Sequence, residues 1–269
     1  MDYRLKQRQA RLREMCGKYV YPWIIGLAEK YKQDGIYPLF LGDYYTERLD
    51  KETAEVVGLL IPIRNPAKRD AYITELRNII GHHPWEMICN RKFLHIAKLS
   101  TVLGNQGING VTLFNLLDWF WEVCYQDKIP LEYVVLGELG IIKRYHKRSI
   151  REIIDFKDLN LRLQILLAKM TLCDGFGVGL WNFLPPEDVP CPMLDFVSRF
   201  LKSYYLIENG RPDEAIDFIG FKKPCDALFA SMEYNRQKKE NEKSFIAQEM
   251  RLKKWYKGCR LRYNFMVKV

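Results

Sequence analysis

Apolar residues recur every three to four positions through most of this 269-residue chain, and that period is the signature of α-helix. Residues 2–19 read as a charged helix with Leu5, Leu12 and Met15 on one side. Pro22 opens a short helix that carries Trp23, Ile24, Leu27 and Tyr31 at helical spacing, and Gln33–Pro38, with its Asp34-Gly35 pair, reads as a turn. The run from Lys51 to Asn65, KETAEVVGLLIPIRN, is apolar nearly all round, which predicts a buried helix. Asn65-Pro66 ends it and starts the next helix, Ala67–Ile80, which Gly81 stops. Further helices are expected over Trp85–Cys89, Lys92–Leu103, Val111–Cys124, Pro130–Leu139 and Asp158–Cys173. Beyond them one helix begins at Asp195, one runs from Pro212 to Gly220, and a long one starts at Pro224.

Few segments alternate with period two, and nothing demands a sheet. The pattern predicts an all-α protein whose many helices are joined by short loops. A hydrophobic fraction of 48% and an aromatic fraction of 13% fit a packed globular chain and exclude a disordered one. No apolar run reaches the ~18 residues of a membrane span, and no apolar signal core follows the basic start. Neither a membrane nor a secretory signal is therefore expected. The seven cysteines are scattered, odd in number and lack a C-x-x-C pair. That usage predicts reduced thiols in a cytoplasmic setting, with no metal or iron–sulfur site and no other cofactor.

Charge divides the chain. Residues 1–18 hold six Lys/Arg against two acids, and residues 231–269 hold eleven against four, while the middle is close to neutral. The reading is a basic helical segment over 1–33, a helical core over 34–230 and a basic helical tail over 231–269. Basic ends fit a polyanion such as nucleic acid, and Trp255, Tyr256, Tyr263 and Phe265 interleave with the tail's charges. Solvated helix faces would produce the same charge pattern. A further basic cluster spans Lys143–Arg151, with Lys143, Arg144, Lys147, Arg148 and Arg151 around His146. His146 is expected on a solvated or phosphate-facing patch there. The four histidines show no metal spacing, and His82-His83 before Pro84 reads as a turn. No Gly-x-Ser-x-Gly elbow or Walker loop occurs, and the Gly104–Gly110 stretch GNQGING reads as a connector.

The stretch Asp174–Leu201, DGFGVGLWNFLPPEDVPCPMLDFVSRFL, holds the densest candidate chemistry. Gly175, Gly177 and Gly179 form a turn whose backbone N–H groups can approach an anion. Asp195 then opens an apolar, helix-like run, where the helix dipole favours its ionised form.

Read together, a long helix, a Gly-rich turn, a second helical piece and a Pro-x-x-Asp helix start resemble the helix–hairpin–helix DNA glycosylase superfamily, the endonuclease III-like group. That family carries a hairpin Leu-Pro-Gly-Val-Gly followed by Pro-x-Val-Asp-Thr-His-Val-x-Arg. The matching residues are Gly177-Val178-Gly179 and the run Pro192-Met193-Leu194-Asp195-Phe196-Val197-Ser198-Arg199. Leu59–Asn65, LLIPIRN, the polar helix after it and HHPWEMI resemble the family's earlier Leu-Leu-Ser-x-Gln, helix and Thr-Pro-x-x-Leu run. GLWNFLPP and PWEMI are also similar to an uncharacterised bacterial group of this fold. The likeness extends over about residues 34–230.

The resemblance implies two helical lobes with a helix–hairpin–helix-like motif and a groove between them. It implies a DNA glycosylase-like protein that binds nucleic acid, DNA in the first place, and hydrolyses an N-glycosidic bond. Asp195 is then the catalytic carboxylate that stabilises an oxocarbenium-like transition state. Gly175, Gly177 and Gly179 hold a backbone phosphate, and Arg64 and Asn65 sit where the family inserts side chains into the gap left by a flipped base. Lys143, Arg144, Lys147 and Arg148 supply phosphate contacts, and Trp181, Trp119 and Trp121 are the candidates for the base pocket. No lysine lies between Asp174 and Leu201, so the sugar Schiff base of the bifunctional members has no source here. Phe196-Val197 replaces the family's Thr-His, and the iron–sulfur cysteines of some members are absent. The expectation is therefore a monofunctional glycosylase. Two alternatives remain open: a non-catalytic nucleic-acid-binding protein of the same fold, and an enzyme of this fold acting on a modified base or nucleotide.

Overall fold

The computed structural model describes residues 7, 10–11, 14, 16–33, 55–56, 58–59, 74, 76–81, 83–94, 110–172, 179–204 and 212–267, with backbone alone at 110, 212–213 and 259–267. Among the described residues the regular structure is helical throughout and no strand occurs. The protein is all-α. No described helix is long and apolar enough to cross a membrane. The chain falls into two compact units: a terminal unit of Met1–Tyr37 with Pro186–Val269, and a central unit of Pro38–Pro185.

In the terminal unit, α1 (Val20–Gln33) starts two residues before Pro22 and places that proline in its first turn, where a missing N–H costs nothing. Its buried face is Val20, Tyr21, Ile24, Leu27, Ala28 and Tyr31, a stripe at three- and four-residue spacing. The helices that follow Pro185 are α6 (Asp195–Tyr204), α7 (Pro212–Ile219), α8 (Asp226–Lys239) and α9 (Lys243–Val267). α1 packs along α8, and α6 packs against both α7 and α8. Tyr31 stacks on Phe229 with centroids 5.8 Å apart and planes 13° from parallel. Each large apolar side chain fully buried in such a seam stabilises the fold by about 1.5–3 kcal/mol. Lys30 and Lys32 at the C-terminal end of α1 pair with Glu233 and Asp226 of α8. The long helix expected from Pro224 is two helices. The chain breaks where Asn241 takes φ 54°, a left-handed value that asparagine tolerates.

The central unit contains α2 (Pro84–Cys89), α3 (Gly110–Phe120), α4 (Leu131–Glu138) and α5 (Leu159–Thr171). Residues 76–80 are helical, and Gly81 ends that helix at φ 79° with its N–H on the Arg77 carbonyl. Of the expected 51–65 helix, residues 55–56 are helical but Gly58 and Leu59 form a turn. Of the expected 92–103 helix, residues 92–94 form a 3₁₀ turn after Arg91, at φ 52°; the remainder lies outside the described residues. The helix expected over Val111–Cys124 is α-helical only to Phe120. It then widens into a π segment, Trp121–Gln126, which redirects Val123 and Cys124. The core residues are Leu113, Leu116, Leu117 and Phe120 of α3, Val134, Val135 and Leu136 of α4 and Leu163, Leu166 and Leu167 of α5. α4 packs on α5, and α3 packs on α2.

Candidate functional site

The central unit holds a cavity of about 380 Å³ lined by Glu55, Trp85, Cys124, Ile129, Pro130, Leu131, Glu132, Leu180 and Trp181. That size falls within the range of small-molecule sites, roughly 300–1,000 Å³. Five separate stretches of chain meet here. Residues 55–56 contribute Glu55, α2 contributes Trp85, the π segment contributes Cys124, α4 contributes Leu131 and Glu132, and the chain after Gly179 contributes Leu180 and Trp181. The last piece is pinned to α5. The N–H groups of Leu180 and Trp181 both donate to the Met170 carbonyl, at 2.6 and 2.8 Å. That carbonyl belongs to the final turn of α5, where helices leave acceptors unfilled.

One carboxylate organises the walls. Trp85 Nε1 donates to Glu55 Oε2 at 3.0 Å, and Trp181 Nε1 donates to Glu55 Oε1 at 3.1 Å. An indole has a single N–H, so both rings are oriented by the same group. Across the lining, Glu132 accepts from the Phe183 N–H at 2.7 Å. Burial raises the Glu132 carboxyl above its ordinary range, against the backbone N–H groups of Phe183, Asn182 and Leu184 that lower it; the Glu55 charge adds the smallest contribution, upward. Burial, then Glu55 and Cys89, push the Cys124 thiol up to about 12, so this cysteine is an inert wall and not a nucleophile. Among the described residues, none that lines the cavity carries a positive charge.

A second polar construction fixes the basic loop. Glu138 ends α4 with its side chain buried. Its Oε1 meets His146 Nε2 at 2.7 Å and accepts from the Ile150 N–H at 3.2 Å, while Oε2 accepts from the Ser149 hydroxyl at 2.8 Å. Ser149 in turn caps the 3₁₀ turn Ile150–Glu152. A Cβ at position 137 would meet the Arg144 Cα at 3.2 Å, so glycine there lets the loop lie close on α4. His146 is 4% exposed, which corrects the expectation that it faces solvent or phosphate; its partner is Glu138. The charges around it do face out. Lys143, Arg144, Lys147 and Arg148 are all exposed, and Tyr145 among them is 65% exposed. A run of ring contacts within the unit, Trp85–Phe120, Phe120–Trp119 and Trp119–His146, joins the cavity wall to this anchor.

The expected site residues separate accordingly. Trp181 lines the cavity. Trp119 is fully buried with its N–H on the Arg148 carbonyl at 2.8 Å, and Trp121 lies under the Arg91 guanidinium at 4.3 Å; neither lines the cavity. Asp195 is an exposed first residue of α6 in the terminal unit, and its backbone carbonyl accepts from Arg199 Nε at 3.3 Å. Gly179 is exposed with φ 60°. Gly175, Gly177, Arg64 and Asn65 lie outside the described residues, as does Gly104–Asn109 of the second Gly-rich loop. Sequence reasoning passed over Glu55, Trp85, Glu132 and Glu138. A signal existed for the acids. Glu55 interrupts the apolar run TAEVVGLLIPI, and Glu132 and Glu138 bracket YVVLG, so each is a carboxylate on a segment otherwise bound for the core. Among the described residues no group of three His, Cys, Asp or Glu is placed to hold a metal ion.

No family model matches the chain, and no curated protein or solved structure does.

Proposed function

We propose that the chain is a nucleic-acid-binding protein of the helix–hairpin–helix DNA glycosylase type, with two helical lobes, which takes a base into the central-unit cavity. The single observation that carries this reading is the cavity wall itself: two indoles held in place by one carboxylate, with Trp181 following directly on the Gly-rich turn. A flipped base needs aromatic faces and a few fixed polar groups, and the cavity has both. The exposed basic loop of the same unit supports the polyanion partner. Lys143, Arg144, Lys147 and Arg148 can neutralise phosphates, and Tyr145 offers a ring on which a base can stack.

The chemistry is hydrolysis of the N-glycosidic bond. The C1′–N bond breaks with its electron pair passing to the base, positive charge develops on the sugar, water adds at C1′, and the proton that water releases ends on the base nitrogen by way of solvent. Asp195 is the carboxylate assigned to stabilise that charge. The solvent exposure of Asp195 favours a second reading, in which the chain binds and reads a base without releasing it.

The test is a set of duplexes carrying different modified bases, assayed for binding and for new abasic sites. The first reading expects base release that Asp195→Asn abolishes while DNA affinity stays within about twofold. It also expects binding that weakens steeply as salt rises, and no borohydride-trapped sugar adduct. Binding without release by the unaltered protein selects the second reading. Neither binding nor release overturns both.

A further inference from the structure

The cavity's electrostatics go further than its shape. Glu55 accepts on both oxygens, each taking one indole N–H, and each oxygen retains room for a second donor. Glu132 supplies another acceptor to the lining, and none of the described residues that line the cavity is a lysine, arginine or histidine. Glu55 and Glu132 line one partly enclosed space, where burial first, with a smaller contribution from the Glu55 charge, raises the Glu132 carboxyl. A ligand that brings donors or positive charge suits that space; a ligand that brings a carbonyl adds a third acceptor with no donor to meet it. The remaining walls, Trp85, Trp181, Leu131 and Leu180, are flat or apolar and suit a planar ring.

We infer that this cavity selects planar heteroaromatic rings bearing an amino or amidine group over rings of the same shape that present a carbonyl at that edge. The amino group meets Glu132 and the free lone pairs of Glu55, and the ring lies against the indoles. This rests on the reading of the cavity as the seat of a base, and it names the class of base. Rejection of the carbonyl isostere follows from setting an acceptor against half-buried acceptors once the ring has displaced water from them.

Two isosteric pairs test it in calorimetric titrations of the full chain at neutral pH: adenine against hypoxanthine, and cytosine against uracil. The amino member of each pair is expected to bind at least about tenfold more tightly. Glu132→Gln replaces one acceptor oxygen by an amide donor of the same shape, and is expected to narrow each ratio to about threefold or less. The Trp181→Phe variant removes one indole N–H while keeping an aromatic ring on the wall, and is expected to weaken both members of a pair alike. Equal affinities, a preference for the carbonyl member, or no adenine binding tighter than about 10 mM would overturn the inference. So would an unchanged ratio in a folded Glu132→Gln protein, with folding read from the urea transition. An amino preference with free bases in a protein that binds no DNA keeps the inference and fails the nucleic-acid reading. DNA binding with equal affinity for both members of a pair does the reverse.

Discussion

The aromatic side chains of the terminal unit close on one another, whereas two indoles of the central unit turn their N–H groups to a carboxylate at the edge of open space. Trp23 stacks on Phe245 with centroids 5.8 Å apart, and Phe200, Tyr204 and Tyr234 pack as a cluster with centroids 5.2–6.4 Å apart. The acids there are compensated at once. Burial alone would raise the Glu233 carboxyl, but hydrogen bonds from Arg236 and Gln237, with the charges of Arg236 and Lys30, leave it lowered. Glu249 is lowered in the same way by Lys253 and Tyr234. Glu132 has no such cation among the causes of its shift and is raised. The same residue types thus build a closed scaffold in one unit and an acceptor-rich cavity in the other. A protein tolerates uncompensated acids beside empty space at a cost in stability, and such places are where ligands act.

Core truncation separates the two regions most sharply. Phe229→Ala removes a ring that is 1% exposed and stacked on Tyr31, and is expected to cost about 3–5 kcal/mol in urea denaturation. Trp181→Phe at the cavity wall keeps most of the ring and loses one hydrogen bond, an expected cost of about 1 kcal/mol. Equal costs would mean that the cavity wall is core like any other.

The anchor of the basic loop comes next. Glu138→Ala leaves His146, the Ser149 hydroxyl and the Ile150 N–H without their acceptor, an expected loss of about 2–4 kcal/mol. DNA affinity is expected to fall in parallel, because the loop that carries Lys143, Arg144, Lys147 and Arg148 loses its fixed shape. A destabilised protein with unchanged DNA affinity would detach the loop from binding.

The smallest effect is a pH dependence with a definite sign. The folded-state pKa of Glu132 lies above its unfolded value, so the folded chain holds that proton more tightly. Its stability contribution is full below the ordinary carboxylate pKa and is lost as pH rises through the raised value. Glu55 and Cys124 are the other titratable groups lining the cavity. Stability is expected to decline across the weakly acidic range, and Glu132→Gln is expected to flatten that decline. Glu233 and Glu249 act in the opposite direction, with lowered pKa values whose contribution is lost as pH falls. The comparison therefore uses the difference between Glu132→Gln and the unaltered chain, not the raw profile.

Local chemistry was legible where a helix carries its own punctuation. Pro84, Gly81 and the apolar period of α5 set their boundaries within two residues of the expected ones. The break at Asn241 was hidden because no glycine or proline marks it. The π segment was hidden because the apolar pattern of WFWEVC suits an α-helix equally well. Trp181 was singled out from the sequence and does line a cavity. Its partners were not, since Glu55 lies 126 residues away from Trp181 and 30 from Trp85. No periodicity connects such positions. What the sequence held was the anomaly of an acid in an apolar run, which marks a buried polar site without saying what it faces. Asp195 followed from a resemblance, and its exposed helix-start position fits the dipole argument that accompanied it.

The most direct test follows the indole N–H signals of Trp85 and Trp181 in a ¹⁵N-labelled protein as an oligonucleotide with an unpaired adenine is added. Both hydrogen bonds end on Glu55 at the cavity, whereas the Trp119 indole ends on the Arg148 carbonyl. Trp119 is thus an internal control. Base entry is expected to shift the Trp85 and Trp181 signals saturably and to leave the Trp119 signal in place. DNA binding that shifts only the amides of residues 143–148, with both cavity indoles unmoved, would contradict the claim that the cavity receives a base.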